Sequence, residues 1–372
     1  MQNRQKRHFF HVLPTFAPGG VQIRVAYLLN HLRLPARHTI VALDGDTSAS
    51  SRLSSDIDVA FATPPLGGGL AGRIRACRRV LATHKPDLLL TYQWGAIEWA
   101  LANRWAPICP HIHLESGFGA EEAERQLARR VWTRRIALGR VDKLIVPSQT
   151  LVRIATREWR IPSAKVCYIP NGVDCEKYGQ PPRPGAIPGF AKREGETVVG
   201  TLTPLRPEKN LTRLIRAFAT VLPTNPECRL IIMGEGGERE KLEALVQALG
   251  LHDRVVLPGH IDHPEAALGW LDLYAISSDT EQMPNAVNQA MAAGLAVVGL
   301  DVGDVRHIVS DANKPFIAKR GDESEFARHM ARLVSDIRLR RDVGRANQEH
   351  VRRAYTLDGM LRAYECAWGE VS

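Results

Sequence analysis

Residues 271–300 read as a strand, a polar loop, a short helix and a second strand, an order that few folds can accommodate. Residues 271–276 are apolar apart from Asp272, and Ser277-Ser278-Asp279-Thr280-Glu281 forms the loop. Pro284 opens a helix where its missing N–H costs nothing, Gly294 closes it, and Ala296–Leu300 is apolar again. Such a βαβ unit gathers ligands outside the carboxyl ends of its strands, where helix N-termini attract anions. Glu281 lies on that loop, placed to bind hydroxyls beside a phosphate. Taken alone, a glutamate there is more often a capping or loop carboxylate.

The same alternation runs through the chain. Strand-like runs at 8–13, 38–43, 87–91, 111–114 and 143–146 are separated by helical segments, the first at 21–32 after a loop ending in Gly19-Gly20. A second series has strands at 197–202, 229–233 and 254–257 with helices at 211–221 and 239–249, and then reaches residues 271–300. Between the series, residues 177–196 hold Pro181, Pro182, Pro184 and Pro188 and show no period, as expected of a linker. The pattern predicts an α/β protein of two Rossmann-like, doubly wound domains facing each other across a cleft, 1–180 and 197–345, with residues 181–196 linking them. Residues 346–372 are expected to be helical and to cross back over the domain boundary through Met360, Leu361, Tyr364 and Trp368.

A length of 372 residues gives each domain room for its own core. No run of about 18 apolar residues occurs, and the opening Met-Gln-Asn-Arg-Gln-Lys-Arg-His lacks the apolar segment of a secretory signal. A cytoplasmic location is therefore expected. Six cysteines without Cys-x-x-Cys spacing argue against both zinc and a disulfide framework, and are expected to be small buried thiols. Residues 1–190 hold 26 Lys and Arg against 14 Asp and Glu, whereas the remainder holds 23 against 26, so the basic character belongs to the first half. An anionic membrane surface or an acidic substrate suits it. Nucleic acid ranks last, because no zinc finger, helix-turn-helix or RNA-binding aromatic signature accompanies the charge. Two arginine-rich stretches carry the surplus: 71–81, with Arg73, Arg75, Arg78 and Arg79, and 124–138, with Arg125, Arg129, Arg130, Arg134 and Arg135. In the second, Leu127, Val131, Trp132 and Ile136 interleave at helical spacing, the pattern of a membrane-surface helix or of a solvated face over a core stripe.

Chemistry collects at strand ends of the second half. Arg206 and Lys209 stand immediately before a helix that Asn210 can cap, and two cations beside helix N–H groups suit a diphosphate. Gly234 and Gly236 again mark a strand-to-helix turn. The ordered series Gly19-Gly20, Pro170-Asn171-Gly172-Val173-Asp174, Arg206 to Asn210, Gly234-Glu235-Gly236, Pro258-Gly259-His260, Ser277 to Glu281, Pro284 and Ala290 to Gly294 resembles family four of the retaining glycosyltransferases. That family has the two-domain GT-B architecture and uses nucleotide-sugar donors.

The resemblance implies an acceptor-side first domain and a donor-binding second domain. Lys209 and a nearby arginine would clamp the donor diphosphate, Glu281 would contact hydroxyls of the transferred sugar, and His113 (or His111) would face that sugar from the first domain. The implied donor-binding set also includes Gly19, Gly20, Gly234, Gly236, Pro284, Asn285 and Ile261, the last in the loop of the nucleobase pocket. Two positions depart from the pattern. Gln289 replaces the second glutamate of the Glu-x7-Glu pair, which holds the ribose, and Pro204 occupies the usual place of the arginine, leaving Arg206 to reach in from elsewhere. The implied reaction needs no metal and no cofactor beyond the nucleotide-sugar donor. Its acceptor would be a glycan or a lipid-linked molecule, met at the inner membrane face. Asp44-Gly45-Asp46 and Asp56-Ile57-Asp58 sit in loop-like sequence unsuited to a metal site. Two other readings stay open: a nucleotide-sugar-binding protein without transfer, and a dinucleotide-dependent oxidoreductase or epimerase, which would need the Gly-x-Gly-x-x-Gly turn the chain lacks.

Overall fold

The computed structural model describes residues 6–118, 120–122 and 126–371; Glu124 and Arg125 of the second arginine-rich stretch lie outside them. The chain divides into two compact units, Met1–Pro170 with Met360–Ser372, and Asn171–Gly359.

The first unit is built on seven strands: β1 (Arg7–Leu13), β2 (Ala36–Ala42), β3 (Val59–Phe61), β4 (Leu88–Tyr92), β5 (His111–Leu114), β6 (Lys143–Val146) and β7 (Val166–Tyr168). They pair in parallel in the order 3-2-1-4-5-6-7. The second unit has six: β8 (Thr197–Leu202), β9 (Cys228–Met233), β10 (Val255–Gly259), β11 (Leu273–Ile276), β12 (Ala296–Leu300) and β13 (Ile317–Ala318), in parallel order 10-9-8-11-12-13. Each order reverses direction once, between β1 and β4 and between β8 and β11. Both units are thus doubly wound sheets, the arrangement in which ligands bind at the reversal. The central strands are buried from end to end, as parallel strands covered by helices on both faces must be.

Local sequence explains the helices that set the second reversal. In Leu211–Val221 the residues Leu211, Leu214, Ile215, Phe218 and Val221 recur at three- and four-residue steps and are buried, while Asn210 caps the helix by accepting from the Arg213 N–H at 3.3 Å. Asp322 and Asp336 cap Glu323–Ser335 and Ile337–Ala354 in the same way, at 2.8 and 2.9 Å. In the last helix, Leu357–Glu370, Met360 and the residues after it belong to the first unit, where the buried Trp368 meets Phe9 and His11 edge-on at 5.9 and 5.8 Å.

Three features depart from the sequence reading. Residues 181–196 lie within the second unit: Ile187 is buried in its core, Arg183 donates its N–H to Ala266 O at 3.1 Å, and Trp270 Nε1 donates to Arg183 O at 2.9 Å. A stretch without periodicity is here fixed by individual anchors, and the units divide after Pro170. Strands β3, β7 and β13 carry three or fewer residues each, too short to show a period. Finally, Cys77, Cys109 and Cys228 are buried, which pushes each thiol up to about 12, but Cys366 is exposed.

Candidate active site

The loops after β8 and β11 leave neighbouring strands on either side of the reversal, and they meet. Lys209 Nζ donates to Glu281 Oε1 at 2.6 Å, and Ser278 Oγ donates to the same oxygen at 2.7 Å. The lysine and glutamate side chains are 18% and 12% exposed, so the pair is shielded yet reachable. Backbone groups zip the loops together: Asp279 N–H reaches Glu208 O at 2.9 Å, and Ser277 Oγ reaches Lys209 O at 2.9 Å. Arg213 reinforces the junction, donating to Ser277 O at 2.8 Å and to Asp279 Oδ1 at 2.7 Å. Behind Glu281 stands Gly303 at φ +55°, where a Cβ would lie 2.1 Å from Glu281 O. The catalytic-looking carboxylate is therefore held by its own backbone as well as by its partners. Sequence reasoning placed Lys209 and Glu281 and named Ser278 in the loop without a role, but passed over Arg213 and Gly303; a glycine just after β12 was the one available signal for the last.

Arg206 has a different setting. Its side chain is 66% exposed, and its ion partner is Glu208, at 4.0 Å.

Gly234 and Gly236 serve the junction too. At φ +146° and +156°, their hypothetical Cβ atoms would fall 1.9 Å from Thr203 O and 2.3 Å from Leu205 O. The loops after β8 and β9 lie backbone to backbone there, with Leu205 N–H on Glu235 O at 2.8 Å and Glu238 N–H on Leu205 O at 3.1 Å. Alanine at Gly234 must therefore displace the segment leading to Lys209. The expected result is a loss of roughly 2–3 kcal/mol of unfolding free energy, together with weakened ligand binding at Lys209. Denaturant melts of Gly234→Ala beside wild type measure it, and an unchanged midpoint rejects the close-approach argument.

Pro284 is buried at the N-cap of Asn285–Ala292, Asn285 opens that helix exposed, and Ile261 is buried in the core. Gln289 lies near the hydroxyl of Tyr178, whose ionisation burial pushes far up. The motif at Asn171 packs on the same helix: Asn288 Nδ2 donates to Asn171 O at 3.1 Å.

The first unit holds the remaining candidates. Gly19 and Gly20 open the helix Gly20–His31 at the carboxyl end of β1, and no side chain caps it. His113, on β5, is fully buried; its Nδ1 meets Thr91 Oγ1 at 2.7 Å, and its Nε2 has no partner among the described residues. Burial, with His111 and Arg134 nearby, holds its imidazole well below the usual range, so it is neutral. His111 shares the Thr91 hydroxyl at 2.7 Å. The aspartates at 44 and 46 are engaged locally: Asp44 Oδ1 accepts the Asp46 N–H at 3.0 Å, and Asp46 Oδ1 accepts from the Ser48 N–H at 2.8 Å.

The second arginine-rich stretch does not form one basic face. In the helix Ala128–Leu138, Arg134 is 1% exposed, bonded to Glu122 at 3.0 and 2.8 Å and ringed by Trp94, Phe118 and Trp159 at 4.9–5.2 Å. Arg130 pairs with Glu121 and Glu122 and is 14% exposed. Trp132 and Ile136 face outward instead. A carboxylate and an aromatic cage inside the unit reversed the expected polarity of this helix.

Two doubly wound units, with an ion pair at the reversal of the second, define a protein of the GT-B class. Comparison with known families gives the rest. Residues 18–177 match the model described as Glycosyltransferase Family 4, and residues 186–350 match that for Glycosyl transferases group 1. The chain belongs to the group 1 glycosyltransferases of family 4. It is 26% identical over 367 residues to the phosphatidyl-myo-inositol mannosyltransferase of Mycobacterium leprae, covering 94% of this chain and 93% of that one. Against the 2-deoxystreptamine N-acetyl-D-glucosaminyltransferase of Streptomyces fradiae it is 26% identical over 322 residues, covering 82% and 76%. Two further relatives, 33% and 23% identical, are spanned over only 20% and 62% of their own lengths. Among solved structures, Anabaena HepE in complex with UDP and glucose superposes with a TM-score of 0.79 at 19% identity, covering 98% of this chain and 100% of that one. That likeness establishes the shared fold.

Proposed function

We propose that this chain transfers a sugar from a UDP- or GDP-sugar to a glycan or lipid-linked acceptor, retaining the anomeric configuration and using no metal ion, in the synthesis of cell-surface polysaccharide or glycoconjugate. The observation that carries this reading is the Lys209–Glu281 pair at the reversal of the second sheet, 2.6 Å apart and beside the N-terminus of Leu211–Val221. In this reaction the bond from the anomeric carbon to the donor phosphate breaks and one to the acceptor oxygen forms. The acceptor proton passes to the departing phosphate oxygen. Lys209 and the helix N-terminus stabilise the charge growing on the diphosphate, and Arg206 supplies a second cation. Glu281 accepts hydroxyl hydrogens of the sugar, a role suited to a carboxylate already oriented by Ser278. A UDP-sugar donor is in keeping with HepE, described in complex with UDP-glucose, and the named relatives include both a lipid acceptor, phosphatidyl-inositol, and a small one, 2-deoxystreptamine. No described helix is long and apolar enough to cross a membrane, and the basic first half is the feature that suits work at the cytoplasmic membrane face.

A thermal-shift screen of UDP-, GDP- and ADP-sugars tests the reading. A bound donor at a hundredfold its Kd stabilises by about 2.7 kcal/mol, and Lys209→Met is expected to remove that shift. If no nucleotide-sugar moves the midpoint, the proposal fails. The same preparation, assayed for donor hydrolysis and transfer, separates an enzyme from a protein that only binds the donor. Gln289 motivates that second reading, since its amide gives the ribose a weaker acceptor than a carboxylate does. Gln289→Glu is accordingly expected to tighten nucleotide binding by roughly 1 kcal/mol, about fivefold in Kd; unchanged affinity detaches position 289 from the ribose.

A further inference from the structure

A cavity of about 360 Å³ lies in the first unit at the amino ends of β5 and β6, the end opposite to the carboxyl-end crevice of the sheet. Its wall is apolar along Ile108 and Pro110, and two arginines, Arg104 and Arg140, reach it with Asp142. Arg104 ends the helix Ile97–Arg104, and its Nε and Nη1 are buried with no hydrogen-bond partner among the described residues. A position at a helix C-terminus suits a cation but leaves those N–H groups unbonded, and a buried donor left without an acceptor is destabilising. Nor does Asp142 supply the missing acceptor. One of its carboxylate oxygens takes the His111 N–H at 2.8 Å, and two guanidiniums outnumber it. His111 adds no charge, because burial lowers its imidazole to about 3. Both arginines can offer forked N–H pairs to an oxyanion such as phosphate.

The rim identifies the source of that phosphate. Trp105, next to Arg104, is 65% exposed; Trp132 and Ile136, one turn apart on the helix whose Ala137 lines the cavity, are 60% and 44% exposed. Of the nine Lys and Arg in residues 126–160, Arg130 and Arg134 are paired with Glu121 and Glu122, leaving seven against Asp142 and Glu158. Outward tryptophans beside arginines are the pairing that seats a protein at a lipid headgroup layer. We propose that this cavity binds the phosphate of an anionic phospholipid headgroup, with Arg104 and Arg140 on the phosphate and Trp105, Trp132 and Ile136 in the headgroup layer. The proposal rests on the membrane-face part of the function proposed above but is separate from the transfer site, whose residues include neither arginine.

The test is co-sedimentation of the full chain with phosphatidylcholine vesicles, with and without phosphatidylglycerol. Wild type is expected to bind only the anionic vesicles. Arg104→Gln/Arg140→Gln should weaken binding by about tenfold or more, since each arginine near such a surface contributes about 1 kcal/mol. Arg140→Gln alone, at an exposed position, should weaken it by about fivefold and guards against misfolding of the double variant. Arg338→Gln/Arg341→Gln, exposed in the second unit, removes the same charge elsewhere and should change binding less than about twofold. Equal losses in both double variants would reduce the effect to diffuse charge and overturn the site. So would absence of vesicle binding, or protection of the chain by inorganic phosphate alone without any preference for anionic vesicles. Donor-induced thermal shifts on the same samples report the transfer site independently, so failure of one reading is distinguishable from failure of the other.

Discussion

Alanine in place of Glu281 is expected to lower kcat/KM for sugar transfer by about 10²–10³-fold, the range for loss of a preorganised polar contact to the transition state, while the fold survives. Glu281 Oε1 is the meeting point of Lys209 Nζ and Ser278 Oγ, at 2.6 and 2.7 Å. Removing the carboxylate takes away the sugar-hydroxyl acceptor and frees the lysine that is needed for the diphosphate. Stripping one partner from a fully buried ion pair costs about 3–5 kcal/mol, but this pair is 12–18% exposed and water can reach the abandoned ammonium. The expected stability loss is therefore smaller, about 1–2 kcal/mol. Glu281→Gln keeps an acceptor for Ser278 and should retain more structure than activity. Because Lys209 and Glu281 share one contact, Lys209→Met added to Glu281→Ala should cost less than the sum of the single changes. Steady-state kinetics with circular dichroism on the same samples decide the matter. A folded Glu281→Ala enzyme turning over at close to the wild-type rate would remove Glu281 from the mechanism.

Residues 271–300 announced this site because each signal in them is local: an apolar run, a proline at the helix start, a glycine at its end. Lys209 was legible for the same reason, standing directly before a helix with its own cap. What stayed hidden depends on contacts distant in sequence. Gly303 matters only because the backbone at Glu281 presses on it, and Arg213 only because Ser277 and Asp279 lie across the loop from it. The arginine-rich helix misled for the converse reason. Helical spacing shows which residues share a face but not which face turns inward, and a buried Glu122 within a ring of aromatics drew Arg134 in while Trp132 turned out. The proline-rich stretch at 181–196 likewise has no period to read, and its anchors at Ala266 and Trp270 are some eighty residues away.

Acid is expected to melt the first unit before the second. Five histidines on its sheet, His8, His11, His38, His111 and His113, are buried, and burial lowers all of them, to about 4 for His38 and about 3 for His111. Hydrogen bonds hold them in their neutral forms: His11 Nε2 against His38 Nδ1 at 3.0 Å, His11 Nδ1 against the Tyr92 hydroxyl at 3.0 Å, and His111 and His113 against Thr91. In the unfolded chain each would take a proton near the ordinary value of about 6.5. The unfolded state therefore binds more protons below that pH, and the stability these residues contribute is complete above about 6.5 and lost as pH falls toward their folded values. Glu115 opposes them: burial raises it to about 7, so the folded state takes up its proton first and gains as pH drops from there. Five excluded protons against one taken up give a slope of at most about 5 kcal/mol per pH unit. In the second unit, burial also lowers His329 and His350, but both remain partly exposed, and their slope is shallower. Scanning calorimetry between about pH 7.5 and about pH 5 should show the first unit's transition moving down while the second's moves much less. His38→Asn should flatten the steep one by about 1.4 kcal/mol per pH unit, since a residue that cannot titrate contributes no proton difference. Parallel shifts of both transitions, or a slope untouched by that substitution, would show that acid lability has a source other than these buried imidazoles.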